Sequence, residues 1–231
     1  MPAREPPEPA GLDPSSRARL TPHTAARFTG ETLFAELART ICQASCLPRK
    51  ELYEAWEVAR RVRRRWRGGV VVDAPAGHGL LAWILLILDD SSPRAIQLDR
   101  RRPASNERLR EVLEERWPRL RGRVEFREQD LADAELPGDA LVASVHACGP
   151  LTDRVLDLAL RSRARVAVLP CCHDLERCDT GQLEGWLAGP LAVDATRAAR
   201  LRAAGYAVRT QTIPAEITPQ NRLLMGAPGP S

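Results

Sequence analysis

The segment Val70-Val71-Val72-Asp73-Ala74-Pro75-Ala76-Gly77-His78-Gly79 constrains this chain more than any other. A β-branched run gives way to a glycine turn and then to the unbroken apolar stretch Leu80–Leu88. The valines predict a buried strand, the glycines a tight turn, and the apolar stretch a helix. Glycine lets backbone approach a ligand closely, and the helix N-terminus offers unpaired N–H groups there. Strand, turn and helix in this order open a βαβ unit, which requires a parallel sheet with helices on its faces. Leu80–Leu88 is also the longest apolar run, and it is too short to cross a bilayer.

The alternation continues downstream. Strands are predicted at Ala95–Leu98, Val124–Phe126, Ala140–Val145 and Arg165–Leu169, and helices at Glu107–Trp117, Thr152–Arg161 and Val193–Ala204, with a short helical piece at Leu183–Leu187. Tyr206–Ile213 and Arg222–Met225, split by Pro214 and Pro219, predict a closing antiparallel hairpin at one edge. Two amphipathic helices are expected upstream. One opens at Thr29-Gly30-Glu31 and aligns Leu33, Phe34, Leu37 and Ile41; the other runs from about 49 to 66 and aligns Leu52, Ala55, Trp56, Ala59 and Val62. Residues 1–27, rich in Pro, Ala, Ser and Arg, are expected to be a disordered tail. The expected division is tail 1–27, helical cap 28–67 and α/β domain 68–228.

Composition narrows the class only slightly. Net charge is +4, and carboxylates offset most of the arginines, so bulk charge does not select a partner. The densest basic run, Arg60 to Arg67, is either a solvated helix end or a phosphate-contacting patch with Trp66 beside it. The N-terminus has charged residues among prolines and no apolar core of a secretory signal, so a cytoplasmic protein with no membrane partner is expected. No oligomeric state follows from the sequence.

Three acids fall at strand ends. Asp73 closes the first strand, Asp99 the second, and Asp130 follows the third. The glycine pattern alone also satisfies a dinucleotide fingerprint, which leaves a nicotinamide-dependent oxidoreductase open. The full set, Asp-x-x-x-Gly-x-Gly with two later acids and a terminal hairpin, resembles the class I methyltransferase fold: Rossmann-like α/β, a mostly parallel seven-stranded sheet, an antiparallel terminal hairpin, and here an N-terminal helical cap. That resemblance implies S-adenosyl-L-methionine as cofactor. Asp73, Gly77 and Gly79 would face its methionine end, Asp99 its ribose hydroxyls and Asp130 its adenine, with Ala74, His78, Arg100, Leu131 and His146 alongside.

A second cluster lies at the ends of strands four and five. His146-Ala147-Cys148-Gly149 leads to Asp153, and Pro170-Cys171-Cys172-His173 leads to Asp174. Ligands bind an open parallel sheet at the carboxyl ends of its strands, so both segments are expected at the crevice of the glycine turn. Four roles stand open. His146 or His173 is a general base; the cysteines bind zinc; Cys171 or Cys172 attacks a pyrimidine; or the cluster simply packs and hydrogen-bonds. Adjacent Cys-Cys chelates one ion poorly beside Cys-x-x-Cys, so no metal centre is expected. Asp153 would cap the following helix or orient His146, and Asp174 would orient His173 or cap.

Asp-x-x-x-Gly-His-Gly, His-Ala-Cys-Gly-x-Leu-Thr-Asp and Pro-Cys-Cys-His, with the helix Arg49–Trp56, together resemble one methyltransferase-domain family over about residues 30 to 226. Its members include eukaryotic methyltransferase-like proteins, a glutathione-transferase-C-terminal-domain-containing protein and, more distantly, acceptor-stem tRNA 2′-O-methyltransferases. The additional zinc-binding segments of those tRNA enzymes are not found here. The resemblance implies methyl transfer, with RNA (tRNA or rRNA) as the leading acceptor class. A protein or small-molecule acceptor, or a non-catalytic cofactor-binding module, are the alternatives.

Overall fold

The computed structural model describes residues 12–229. Its helices are α1 (Pro22–Ala25), α2 (Leu33–Ala44), α3 (Arg49–Arg65), α4 (Leu80–Ile87), α5 (Ala104–Arg116), α6 (Pro150–Arg161) and α7 (Gly189–Ala203). Its strands are β1 (Val71–Asp73), β2 (Ala95–Asp99), β3 (Val124–Glu128), β4 (Leu141–Ser144), β5 (Arg165–Val168), β6 (Tyr206–Thr212) and β7 (Arg222–Pro228). They form one seven-stranded sheet in the order β3-β2-β1-β4-β5-β7-β6. All pairs are parallel except those of β7 with β5 and β6, so the expected Rossmann-like sheet and its closing antiparallel hairpin are both present. Strand order reverses between β1 and β4, which places a crevice above their carboxyl ends.

Alternation along the strands separates two cores. Val71, Ala95, Leu141 and Ala143 face α2 to α5, whereas Val72, Ile96, Val142 and Val166 face α6 and α7. Every residue of α4 is buried, including Trp83 at 0% exposure. An apolar helix of this kind needs cover on its outer side, and α3 and α5 supply it. Each fully buried Leu or Ile there contributes about 1.5–3 kcal/mol. The helical cap is therefore part of the core of the sheet's first half.

Two expectations are corrected. Residues 12–27 are not a tail. Leu20 is fully buried, its N–H donates to Leu47 O at 2.8 Å, and the carbonyls of Ser16 and Ala18 accept from Lys50 N and Arg49 N, each at 3.0 Å. Helix α3 starts at Pro48 without a side-chain cap, so this segment satisfies N–H groups that would otherwise be orphaned. Residues 1–11 of the expected tail lie outside the described residues. Leu183–Leu187 is a hydrogen-bonded turn closed on Leu183 O rather than a helix, among Gly181, Gly185 and Gly189.

The basic run also divides. Arg63 is 3% exposed: its Nε donates to Leu85 O at 3.0 Å, its Nη2 to Ser92 Oγ at 2.8 Å, and it pairs with Asp89 at 3.1 Å. It thus closes the C-terminal end of α4, while Arg64, Arg65 and Arg67 remain exposed. Burial raises the Asp89 carboxyl, but Ser91, the Gly68 N–H and Arg63 outweigh it and hold it at about 2. Among the described residues no helix is long and apolar enough to cross a membrane.

Candidate active site

The glycine turn is held from beneath. The Gln97 amide on β2 donates to Gly79 O at 2.8 Å, and Asn106 on α5 donates to His78 O at 3.1 Å and to Gln97 Oε1 at 2.8 Å. Gly79 has φ +82, and a Cβ there would meet Gln97 at 2.2 Å and Asn106 at 2.6 Å. Gly77 differs: its φ is +52, but a Cβ would meet nothing within 4 Å. Both positions need glycine for their backbone. Only Gly79 needs it for packing, while Gly77 borders open space of the kind a ligand occupies.

Asp99 spans the turn from the end of β2. Its Oδ2 accepts from Gly77 N at 2.9 Å and its Oδ1 from Arg100 N at 2.7 Å. Asp73 is 2% exposed and accepts from Ala82 N at 3.1 Å, which anchors the start of α4. Burial pushes its carboxyl well above the usual range, outweighing that hydrogen bond. Asp130 accepts from Ala132 N at 2.9 Å and pairs with Arg154. Ala74 is fully buried and pairs its N–H with Ala143 O, so it builds the sheet edge and turns no side chain to the crevice.

These residues line two small hollows that share Pro75 in their walls. One is bounded by Glu51, Asp73, His78, Gly79 and His146, the other by Asp99, Arg100, Asp130, Leu131 and Arg154. Their free volumes are about 20 and 50 Å³, so rim side chains have to swing aside to admit a nucleoside. The donor set fits such a ligand: carboxylates for hydroxyls and an amine at one end, backbone N–H groups of a glycine turn between.

Glu51, on α3, is the wall residue that sequence reasoning missed. It lies 3.7 Å from the His78 ring. Burial, then Glu54, pushes its carboxyl up to about 7, while burial and Arg108 hold His78 below its ordinary value. At pH 7 the Glu51 carboxyl is therefore about half ionised, beside a neutral His78 ring. Its signal was the helix Arg49–Trp56, whose polar residues have no place on an ordinary apolar face. His146 opens to the same hollow with its side chain exposed at the rim, and the protein crowding one side of its ring, then Lys50 and His78, hold it below its ordinary value. Its ring is therefore neutral at pH 7, with a lone pair able to accept a proton.

The β4 and β5 loops are joined by Gly149 N donating to Cys172 O at 3.1 Å. The Sγ atoms of Cys148 and Cys171 are 2.7 Å apart, and those of Cys171 and Cys172 4.0 Å. Burial, and then the neighbouring Cys148 sulfur, raise both the Cys171 and the Cys172 thiols, which disfavours either as a nucleophile at neutral pH. His173 is turned toward α7: its ring is 3% exposed and its Nε2 lies 2.8 Å from Asp194 Oδ1. Asp194 also accepts from Arg222 Nε at 2.6 Å. Burial raises Asp194, and the His173 and Arg222 hydrogen bonds together hold it below its ordinary value.

Asp153 neither caps a helix through its side chain nor orients His146. It takes a two-pronged hydrogen bond from Arg197, at 2.9 and 2.7 Å, and Arg197 also donates to Gly149 O at 2.9 Å. Asp174 does not orient His173 either; its carboxylate accepts from Glu176 N in a local turn. Asp194 and Arg197 are invisible to motif reading because they lie on α7, remote in sequence from the loops they hold.

A sheet of this order, with a glycine turn at its switch point and acids at the ends of β1 and β2, defines a class I methyltransferase-like protein. The chain belongs to the methyltransferase domain family, whose model matches residues 50–178, more than half of its length. Similar solved structures include an O-methyltransferase family protein from Burkholderia thailandensis, at 21% identity and TM-score 0.52 over 90% of this chain and 63% of that one. The S-adenosylmethionine-dependent methyltransferase SibL matches at 21% identity and TM-score 0.52 over 91% and 66%. The mitomycin 7-O-methyltransferase MmcR matches at 20% identity and TM-score 0.52 over 90% and 60%. The chain thus spans less than two thirds of the length of each, and the likeness is one of fold. A search of curated proteins finds no match.

Proposed function

We propose that this chain is an S-adenosylmethionine-dependent methyltransferase whose acceptor is RNA. The bound cofactor would supply an electrophilic methyl group. The chain's own residues would do the rest. Asp99 would accept from ribose hydroxyls while its grip on Gly77 N keeps the turn in shape, Asp73 and Glu51 would face the methionine ammonium, and Asp130 the adenine amine. Neutral His146, at the end of β4, would take the proton released by the acceptor.

One observation carries the RNA reading. Helix α3 forms the crevice wall through Glu51 and Ala55, and one turn further along it presents Arg60, Arg61 and Arg64 to a groove of about 400 Å³ shared with Pro214, Glu216 and Ile217. Arg60 also sits over the Trp56 ring at 6.0 Å. Glu57 pairs with Arg60 and Arg61, so the exposed Arg64 and Arg65 provide the surplus charge for phosphates.

Three measurements test this. Calorimetry should show binding of S-adenosylmethionine and S-adenosylhomocysteine but not NAD; NAD-selective binding would sink the cofactor assignment. Methyl label offered with total RNA, protein and metabolite fractions should enter RNA. Reversing Arg64 and Arg65 to Glu should weaken RNA binding and reduce the slope of log affinity against log salt by about one per lost phosphate contact. Label confined to protein or metabolites, or a slope that does not move, would remove RNA as the acceptor.

A further inference from the structure

Three thiols converge where β4 and β5 end. Cys148 comes from one loop and Cys171 and Cys172 from the other, and the three Sγ atoms all lie within 4.8 Å of one another. Cys148 and Cys172 are exposed. The 2.7 Å between Cys148 and Cys171 sulfurs is well inside the roughly 3.5–4.0 Å at which nonbonded heavy atoms rest. It is also well outside the ~2.05 Å of a covalent S–S bond.

A tetrahedral metal centre with metal–sulfur bonds of about 2.3 Å sets sulfur–sulfur edges near ~3.8 Å. The 4.0 Å edge from Cys171 to Cys172 already matches, and the short edge needs to open by about 1 Å. The difficulty with adjacent Cys-Cys as a chelate is met by the third sulfur, which the neighbouring strand supplies. The loops are also braced: Gly149 N binds Cys172 O, and Arg197 holds Gly149 O from below. A disulfide would use two of these sulfurs and leave the third without a role. The remaining cysteines, Cys42, Cys46 and Cys178, are each buried outside this cluster.

We propose that Cys148, Cys171 and Cys172 form a binding site for one thiophilic divalent cation of the zinc class, with its fourth position open to solvent. Nothing in this site depends on the methyl-transfer reading. Binding would displace thiol protons, so affinity should rise with pH.

The test is a titration of the reduced, full-length chain with Co²⁺ as the probe. One cobalt per chain is expected, with thiolate-to-cobalt charge-transfer absorption and tetrahedral ligand-field bands, both abolished by one equivalent of Zn²⁺. Cys148→Ser, Cys171→Ser and Cys172→Ser should each weaken binding at least ~10-fold. Cys46→Ala should bind like the parent chain. Should a serine variant misfold, alkylation of the parent chain followed by mass spectrometry reads the same point: Zn²⁺ should protect these three cysteines from labelling. Absence of charge-transfer bands in the reduced chain overturns the site, as does full binding by Cys148→Ser. A Cys148–Cys171 disulfide whose reduction yields no cobalt binding overturns it in favour of a redox pair.

Discussion

The two halves of the crevice are built from the same sheet but held by different forces. On the half proposed to hold the nucleotide, the neutral amides of Gln97 and Asn106 hold the glycine turn from beneath, and one carboxylate, Asp99, spans it. On the half proposed to receive the acceptor, the β4 and β5 loops rest on a partly buried ionic network in which Arg197 serves Asp153 and Gly149 while Asp194 serves His173 and Arg222. Neutral hydrogen bonds cost little to desolvate and keep a pocket in shape for a fixed ligand. A buried ion pair is expensive to break, so it gives one loop geometry and little tolerance of substitution. The nucleotide half should therefore fail by losing ligand, and the acceptor half by losing structure.

The largest effect should come from Arg197→Met. It leaves Asp153 and the Gly149 carbonyl without their donor, while Asp194 keeps Arg222 and His173, and should cost about 3–5 kcal/mol of stability in urea denaturation. A loss below ~1 kcal/mol would show that the network is mere surface pairing. Next is the pair of glycines. Gly79→Ala combines left-handed backbone with a collision against Gln97 and Asn106 and should cost about 2–4 kcal/mol. Gly77→Ala, with open space around it, should cost only about 1 kcal/mol while still impairing cofactor binding. Equal destabilisation by the two would break the distinction drawn between packing and ligand clearance.

Asp99→Ala should leave the fold nearly intact and weaken S-adenosylmethionine by about 1.5–3 kcal/mol, read by calorimetry. Unchanged affinity would refute the ribose assignment. The smallest effect is a pH dependence. Glu51 titrates at about 7 in the fold against its ordinary 4.5, so the folded chain holds more protons than the unfolded one between those values. Stability should therefore fall as pH rises through that window and level off above it. Glu51→Gln should flatten the fall and be more stable than the parent at pH 8 by about 1 kcal/mol. Parallel pH profiles for the two chains would show that Glu51 is solvated in the fold.

The nucleotide half is largely legible in the sequence. Asp73, Gly77, Gly79 and Asp99 follow one another along a strand, a turn and the next strand, so local spacing reports their meeting. The acceptor half is legible only in part. His146, the cysteines and Asp153 are visible as loop residues, but the partners of Asp153 and His173 are not, since Arg197 is 44 residues from Asp153 and Asp194 is 21 from His173. The basic run teaches the same point within one helix. Arg63 and Arg64 are neighbours in sequence, yet the helical rotation between them buries the first against Asp89 and leaves the second in solvent.

The sequence alone determined the alternating strands and helices, the glycine turn and the closing hairpin, because those depend on side-chain periodicity and backbone freedom over a few residues. Only the tertiary structure decided that residues 12–27 pack, that Glu51 enters the crevice wall, that His173 is turned toward Asp194, and that three sulfurs meet. Those outcomes depend on which segments the sheet brings side by side, and burial then sets the cost of each polar or charged group left without a partner there.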